Sequence, residues 1–153
     1  MRRLLVVLAI ALAAASLAPI AVAAPAGAAS APLDAVDVSG TVGEKPTVTS
    51  TWPFSVKSSV SEVRTPGTGT KAAKGDQVSF DYVILNGRTG EQIETSYGST
   101  PVTLKLEKGT TPALRDALVG TTAGSRVLVA VAPKDGLTAN GSSVGLKKND
   151  TVL

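Results

Sequence analysis

From Val56 to Ala132, apolar residues fall largely at alternate positions, in short runs separated by Gly, Pro or Asn. Val78, Phe80, Tyr82 and Ile84 alternate with Ser79 and Asp81, and Val102, Leu104 and Leu106 repeat the pattern. A period of two turns one face of an extended segment to a core and the other to water, so these read as half-buried strands. Val56–Arg64, Glu91–Thr95 with Ile93 inward, and the β-branched run Arg126–Ala132 add further strands. Asn86-Gly87-Arg88-Thr89-Gly90 predicts a hairpin turn, because Asn-Gly readily supplies the positive φ angles such turns need.

One short helix is expected. Thr111 suits the N-cap and Pro112 the first helical position, where a missing N–H costs nothing. Ala113, Leu114, Ala117 and Leu118 then share a face, and Gly120 ends the helix. The predicted fold class is α+β, an antiparallel β-sheet wrapped against one short α-helix. Residues 29–54 read as a flexible lead-in with short extended pieces at Val36–Gly40 and Gly43–Thr49. Trp52-Pro53-Phe54 can pin that segment to a core, as an arm of the main domain or as a separate hairpin. The main domain is expected over residues 55–153, with a Gly-, Asn- and Ser-rich loop from Pro133 to Lys148.

Residues 1–28 have the order of a secretory signal peptide: Met1-Arg2-Arg3, an apolar run from Leu4 to Ala15, then Ala-x-Ala at Ala21–Ala23 and Ala26–Ala28. The apolar run is short of the roughly 20 residues a membrane helix needs, which disfavours the alternative of an uncleaved anchor. Of the 15 basic residues, Arg2 and Arg3 leave with the signal, so 13 face 12 acidic ones. That balance gives no reason to expect nucleic-acid binding. Cysteine is absent, so neither disulfides nor lipid attachment at a cleavage-site thiol is available. The expectation is a chain secreted or released into the cell envelope, with no stable membrane anchor after cleavage, which folds by burial alone. Histidine is absent too, which excludes His-dependent triads and argues against zinc. Gly67-Thr68-Gly69 lacks the strand-to-helix setting of a phosphate loop, and Asn140-Gly141-Ser142 reads as a chance sequon in a Gly-rich loop.

Six short motifs carry a family resemblance: Gly67-Thr68-Gly69, Lys74-Gly75-Asp76, Val78-Ser79-Phe80-Asp81-Tyr82, Ala117-Leu118-Val119-Gly120, Gly124-Ser125-Arg126 and Pro133-Lys134-Asp135-Gly136. In order and spacing, from Val63 to Leu153, the chain resembles the FKBP-type peptidyl-prolyl cis-trans isomerases of exported bacterial proteins. The resemblance implies an activity on X–Pro bonds in unfolded or extended polypeptides, without nucleophile, metal or cofactor. It also implies a site. Tyr82 falls on the family's pocket tyrosine, and Glu94 on a hydrogen-bonding Asp. Thr110-Thr111 falls on a Val-Ile pair whose second backbone N–H contacts the substrate carbonyl. Leu114 takes the place of an aromatic floor. Ile93 and Val102 stand where Phe walls are usual, and Leu137 where a rim Tyr donates a hydrogen bond. Catalytic roles are thus expected for Tyr82, Glu94, Thr111 and Leu114, and substrate contacts for Ile93, Val102, Thr110 and Leu137.

Each of these residues has a plainer reading as well. Tyr82 can be a core residue, Glu94 a solvated carboxylate and Thr111 a helix cap. The resemblance also implies a final strand in mid-sheet, between the strand holding Val78 and the one holding Arg126–Ala132. Thr151-Val152-Leu153 can only begin it, which suggests truncation of that strand. The alternative to catalysis is a non-catalytic binding domain that holds an extended peptide in the degenerate slot or along the bare sheet edge.

Overall fold

A computed structural model of the chain describes residues 33–136 and 145–153; the signal sequence, Leu137 and the sequon at Asn140 lie outside them. Eight strands and one helix follow in the order β1 (Val36–Ser39), β2 (Thr47–Ser50), β3 (Val60–Thr65), β4 (Gln77–Phe80), β5 (Val83–Leu85), β6 (Gln92–Thr95), β7 (Val102–Lys105), α1 (Pro112–Leu118) and β8 (Arg126–Ala130). A single 3-10 turn, Pro133–Asp135, comes after β8. All four ladders are antiparallel: β1 with β2, β3 with β8, β4 with β7 and β5 with β6. The fold is α+β, with α1 packed on β3 and β8.

The segment from Val78 to Ile84 is two strands rather than one continuous strand. β4 pairs with β7 and β5 with β6, and the break falls at Asp81-Tyr82. There the Tyr82 N–H donates to Ser96 Oγ at 3.0 Å, and the Tyr82 carbonyl accepts from the Ser96 N–H and Thr95 Oγ1. Side-chain acceptors thus take the place of ladder partners, which lets the backbone change neighbours. The first strand of the main sheet is likewise shorter than expected, because the Val56 N–H goes to Thr151 Oγ1 instead of a ladder.

The turn after β5 also differs from the Asn-Gly expectation. Neither Asn86 nor Gly87 has positive φ; Gly90 does, at 78°. Asn86 instead uses its side chain, accepting the Arg88 N–H at 2.9 Å, while its carbonyl accepts the Gly90 N–H at 2.7 Å. Gly87 is needed for close approach. A Cβ there would sit 2.6 Å from the Thr151 carbonyl and 2.8 Å from that of Phe54. Gly87→Ala should therefore destabilise the fold by about 1–3 kcal/mol through overpacking, read as a lower urea midpoint with the slope unchanged.

The main core gathers residues of β5 and β8 with the segment before β3 and the chain's last residue. Leu85, Leu128, Ala130 and Leu153 meet Phe54 and Val56 there, together with Leu33 and Val36. Leu33, in the stretch expected to be a lead-in, is fully buried. Two arginines from the main sheet fasten the N-terminal hairpin. Arg64 donates to the carbonyls of Leu33 and Val36. Arg126 donates to those of Gly40, Thr41 and Glu44 at 2.5, 2.6 and 3.0 Å. Burial of each large apolar side chain contributes about 1.5–3 kcal/mol.

Thr151–Leu153 lies between β5 and β8. Val152 bridges antiparallel to Asn86 on one side and Val131 on the other. Its N–H and carbonyl pair with Val131, and those of Leu153 with Leu85. Asp150, buried, holds this approach in place by accepting from the Lys147 N–H at 2.8 Å and from Arg88 Nε at 3.1 Å. Burial pushes its carboxyl up, but the Lys147, Arg88 and Asn86 donors outweigh it and keep it below the usual carboxylate range. Among the described residues no helix is long and apolar enough to cross a membrane.

Candidate functional site

Tyr82 sits at the β4–β5 break with both its backbone N–H and its carbonyl hydrogen-bonded. Ser96, which does much of the holding, is buried and donates its hydroxyl to Asp81 Oδ1 at 2.8 Å. No periodicity or motif in the sequence marks Ser96, since its role depends on the break itself. The Tyr82 ring lies 6.4 Å from that of Phe80, tilted by 55°. Its hydroxyl donates to Glu94 Oε1 at 2.6 Å. Two of the expected site residues are therefore directly joined, and Ile93, half-buried, neighbours Glu94 on β6.

The Glu94 hydrogen bond, some desolvation and the carboxylate's negative charge all raise the Tyr82 phenol above its ordinary value. The sign follows: the neutral phenol is favoured, so this contact holds fully below the ordinary Tyr pKa and is lost as pH rises through the raised one. Glu94→Gln removes the charge and should bring the Tyr82 titration midpoint back down toward the ordinary value. The check is ultraviolet titration of both chains, each compared with its Tyr82→Phe counterpart.

The remaining residues come from the β7–α1 connection and from α1. Thr110 is buried and donates its hydroxyl to the Lys105 carbonyl at 2.7 Å, so its side chain serves the loop. Thr111 occupies the N-cap position, yet its side chain makes no capping hydrogen bond, contrary to the capping expectation. Its carbonyl accepts the Arg115 N–H at 3.0 Å, and Pro112 takes the first helical position as expected. The Thr111 N–H finds no protein acceptor among the described residues. Leu114 is half-buried on α1. Val102, opposite Phe80 in the β4–β7 register, is 37% exposed.

Two clefts open on the described surface. One, of about 720 Å³, lies between Ser58–Ser61, the first turns of α1 and Lys134–Gly136. It touches Pro112, Ala113 and Gly136, the sequence neighbours of Thr111, Leu114 and Leu137. Its walls mix polar side chains with Val60, Pro112 and Ala113, and Asp135 accepts from Ser59 Oγ at 2.9 Å. The Lys134 ammonium and the Ser59 donors keep the Asp135 carboxyl below the usual range. The other cleft, of about 460 Å³, separates β4 from the stretch that leads into β8. Neither is lined by Tyr82, Ile93, Glu94, Val102, Thr110, Thr111 or Leu114.

The family model described as FKBP-type peptidyl-prolyl cis-trans isomerase matches residues 68–153. That stretch runs from just after β3 through all the expected site residues. No curated protein matches the chain.

Proposed function

The chain belongs to the FKBP-type peptidyl-prolyl cis-trans isomerase family and acts on proline-containing polypeptides, and from that premise we propose that it assists the folding of exported proteins. The family match over residues 68–153 carries the catalytic half of this reading. The Met1-Arg2-Arg3 start, the Leu4–Ala15 apolar run and the Ala-x-Ala patterns support export.

The chemistry required is the rotation of a resonance-stiffened amide, with a barrier of about 18–20 kcal/mol. The planar amide draws charge onto its oxygen, and the twisted state has given that separation up. An apolar slot with a few donors at its rim therefore favours the twisted state over the planar one. In this reading Leu114, Ile93 and Val102 supply the apolar lining, and Thr110 shapes the loop that presents Thr111. The Thr111 N–H donates to the substrate carbonyl. Tyr82, steadied by Glu94, borders the proline ring.

A refolding assay tests the biological half. An exported protein whose slow phase is limited by proline isomerisation should refold faster when the chain is added in catalytic amounts. An unchanged slow phase, with the chain shown to be folded, would remove folding assistance from the account.

A further inference from the structure

We infer that Ser96 is a positioning residue for the isomerase reaction, pinning Tyr82 where its ring borders the substrate's proline, with Asp81 orienting the serine hydroxyl. The inference rests on the reading of Tyr82 as a substrate contact. The β5–β6 register pairs Val83 with Thr95 and Ile84 with Glu94, so the next pair outward is Tyr82 with Ser96. Residues that face each other at such a position ordinarily exchange both backbone hydrogen bonds. Here only one forms, from the Ser96 N–H to the Tyr82 carbonyl at 3.1 Å. The Ser96 carbonyl is turned away. It accepts the Ser99 N–H at 2.9 Å, in a turn for which Gly98 supplies a φ of 89°. Ser96 Oγ takes the carbonyl's place and accepts the Tyr82 N–H at 3.0 Å.

A serine hydroxyl has one proton to donate and lone pairs to accept with. Asp81 Oδ1 takes that proton's hydrogen bond at 2.8 Å, which leaves only lone pairs for the Tyr82 N–H. The carboxylate thus sets the polarity of the contact. Each polar group of Tyr82 is then met by one short stretch of chain. Glu94 accepts from the hydroxyl at 2.6 Å, Thr95 Oγ1 donates to the carbonyl at 2.8 Å, and Ser96 accepts from the N–H. The residue is held at its hydroxyl and at its backbone together. Ser96 is 5% exposed, so water does not readily replace its hydroxyl. Without that hydroxyl the Tyr82 N–H has no acceptor in the stretch, because the Ser96 carbonyl is committed to the turn. The β4–β5 break then relaxes, and Tyr82 shifts against the Thr111 N–H, which another part of the chain presents. A misplacement of about 1 Å between two groups that act on one substrate costs up to about a hundredfold in rate.

The test compares the full chain with Ser96→Ala, Ser96→Thr and Asp81→Ala, by protease-coupled isomerisation of an X–Pro peptide and by ultraviolet titration against Tyr82→Phe counterparts. Ser96→Ala is expected to lower kcat at least about tenfold, with KM changed less than about threefold, since the contact acts on orientation rather than on uniform binding. The Tyr82 titration midpoint should fall toward the ordinary tyrosine value although Glu94 is untouched, because the phenol no longer rests on that carboxylate. Ser96→Thr keeps the hydroxyl and should restore most of both. Asp81 is exposed, so Asp81→Ala should fold and show the same two changes at smaller size. That variant carries the test if Ser96→Ala does not fold. An active parent beside variants with unchanged kcat and unchanged Tyr82 midpoint overturns this inference alone. So does a variant that melts earlier at full kcat, which would make Ser96 a purely structural residue. A folded parent without isomerase activity overturns the proposed function, and this inference with it.

Discussion

Phe54→Ala is expected to lower the unfolding free energy by about 3–5 kcal/mol, the cost of emptying an aromatic site in a packed core. Phe54 is 7% exposed, and its N–H donates to the Gly87 carbonyl at 2.7 Å. It lies outside the stretch matched by the family model, yet it packs in one cluster with Leu85, Leu128 and Leu153, which lie inside. Total stabilities of about 5–15 kcal/mol make such a loss large enough to bring the fold near its threshold. Val42→Ala, at an exposed position on the tip of the N-terminal hairpin, serves as the control and should stay within about 0.5 kcal/mol of the parent. Urea unfolding of both variants measures the difference. Equal midpoints would mean that the segment before β3 contributes nothing to the core.

The second large effect is on catalysis. Leu114→Asp places a carboxylate where the proposed slot must stay apolar, and its desolvation should cost at least about 1.4 kcal/mol in the transition state, a tenfold loss in kcat/KM. Leu114 is only half-buried on α1, so the fold should survive the change, as circular dichroism would show. Tyr82→Phe keeps the ring and loses only the hydroxyl that reaches Glu94, so its effect should be smaller. Equal activity of Leu114→Asp and the parent would take Leu114 out of the site.

Alternation reports burial directly and made β7 legible, while β8 followed from its β-branched run and the start of α1 from the fit of Pro112 at the first helical position. What pattern alone missed depends on contacts distant in sequence. The Asp81-Tyr82 break is set by Ser96, fourteen residues beyond Tyr82. The Asn86 turn is set by the need for Gly87 to pass under Thr151 and Phe54. Thr111 fits a capping pattern, but its hydroxyl is not used to cap. Leu33 shows no period of its own, and its burial depends on Arg64, 31 positions later, taking its carbonyl. Of the site, the Tyr82–Glu94 pair is joined by a direct bond. Resemblance supplied both residues, and the fold supplied the contact.

The most direct measurement is a protease-coupled isomerisation assay on an X–Pro peptide, with the chain verified as folded by its thermal melt. A cis-to-trans rate that rises in proportion to enzyme concentration, and falls at least tenfold per molecule in Leu114→Asp, is the predicted result. A rate indistinguishable from the spontaneous one at every concentration of folded chain would contradict the account.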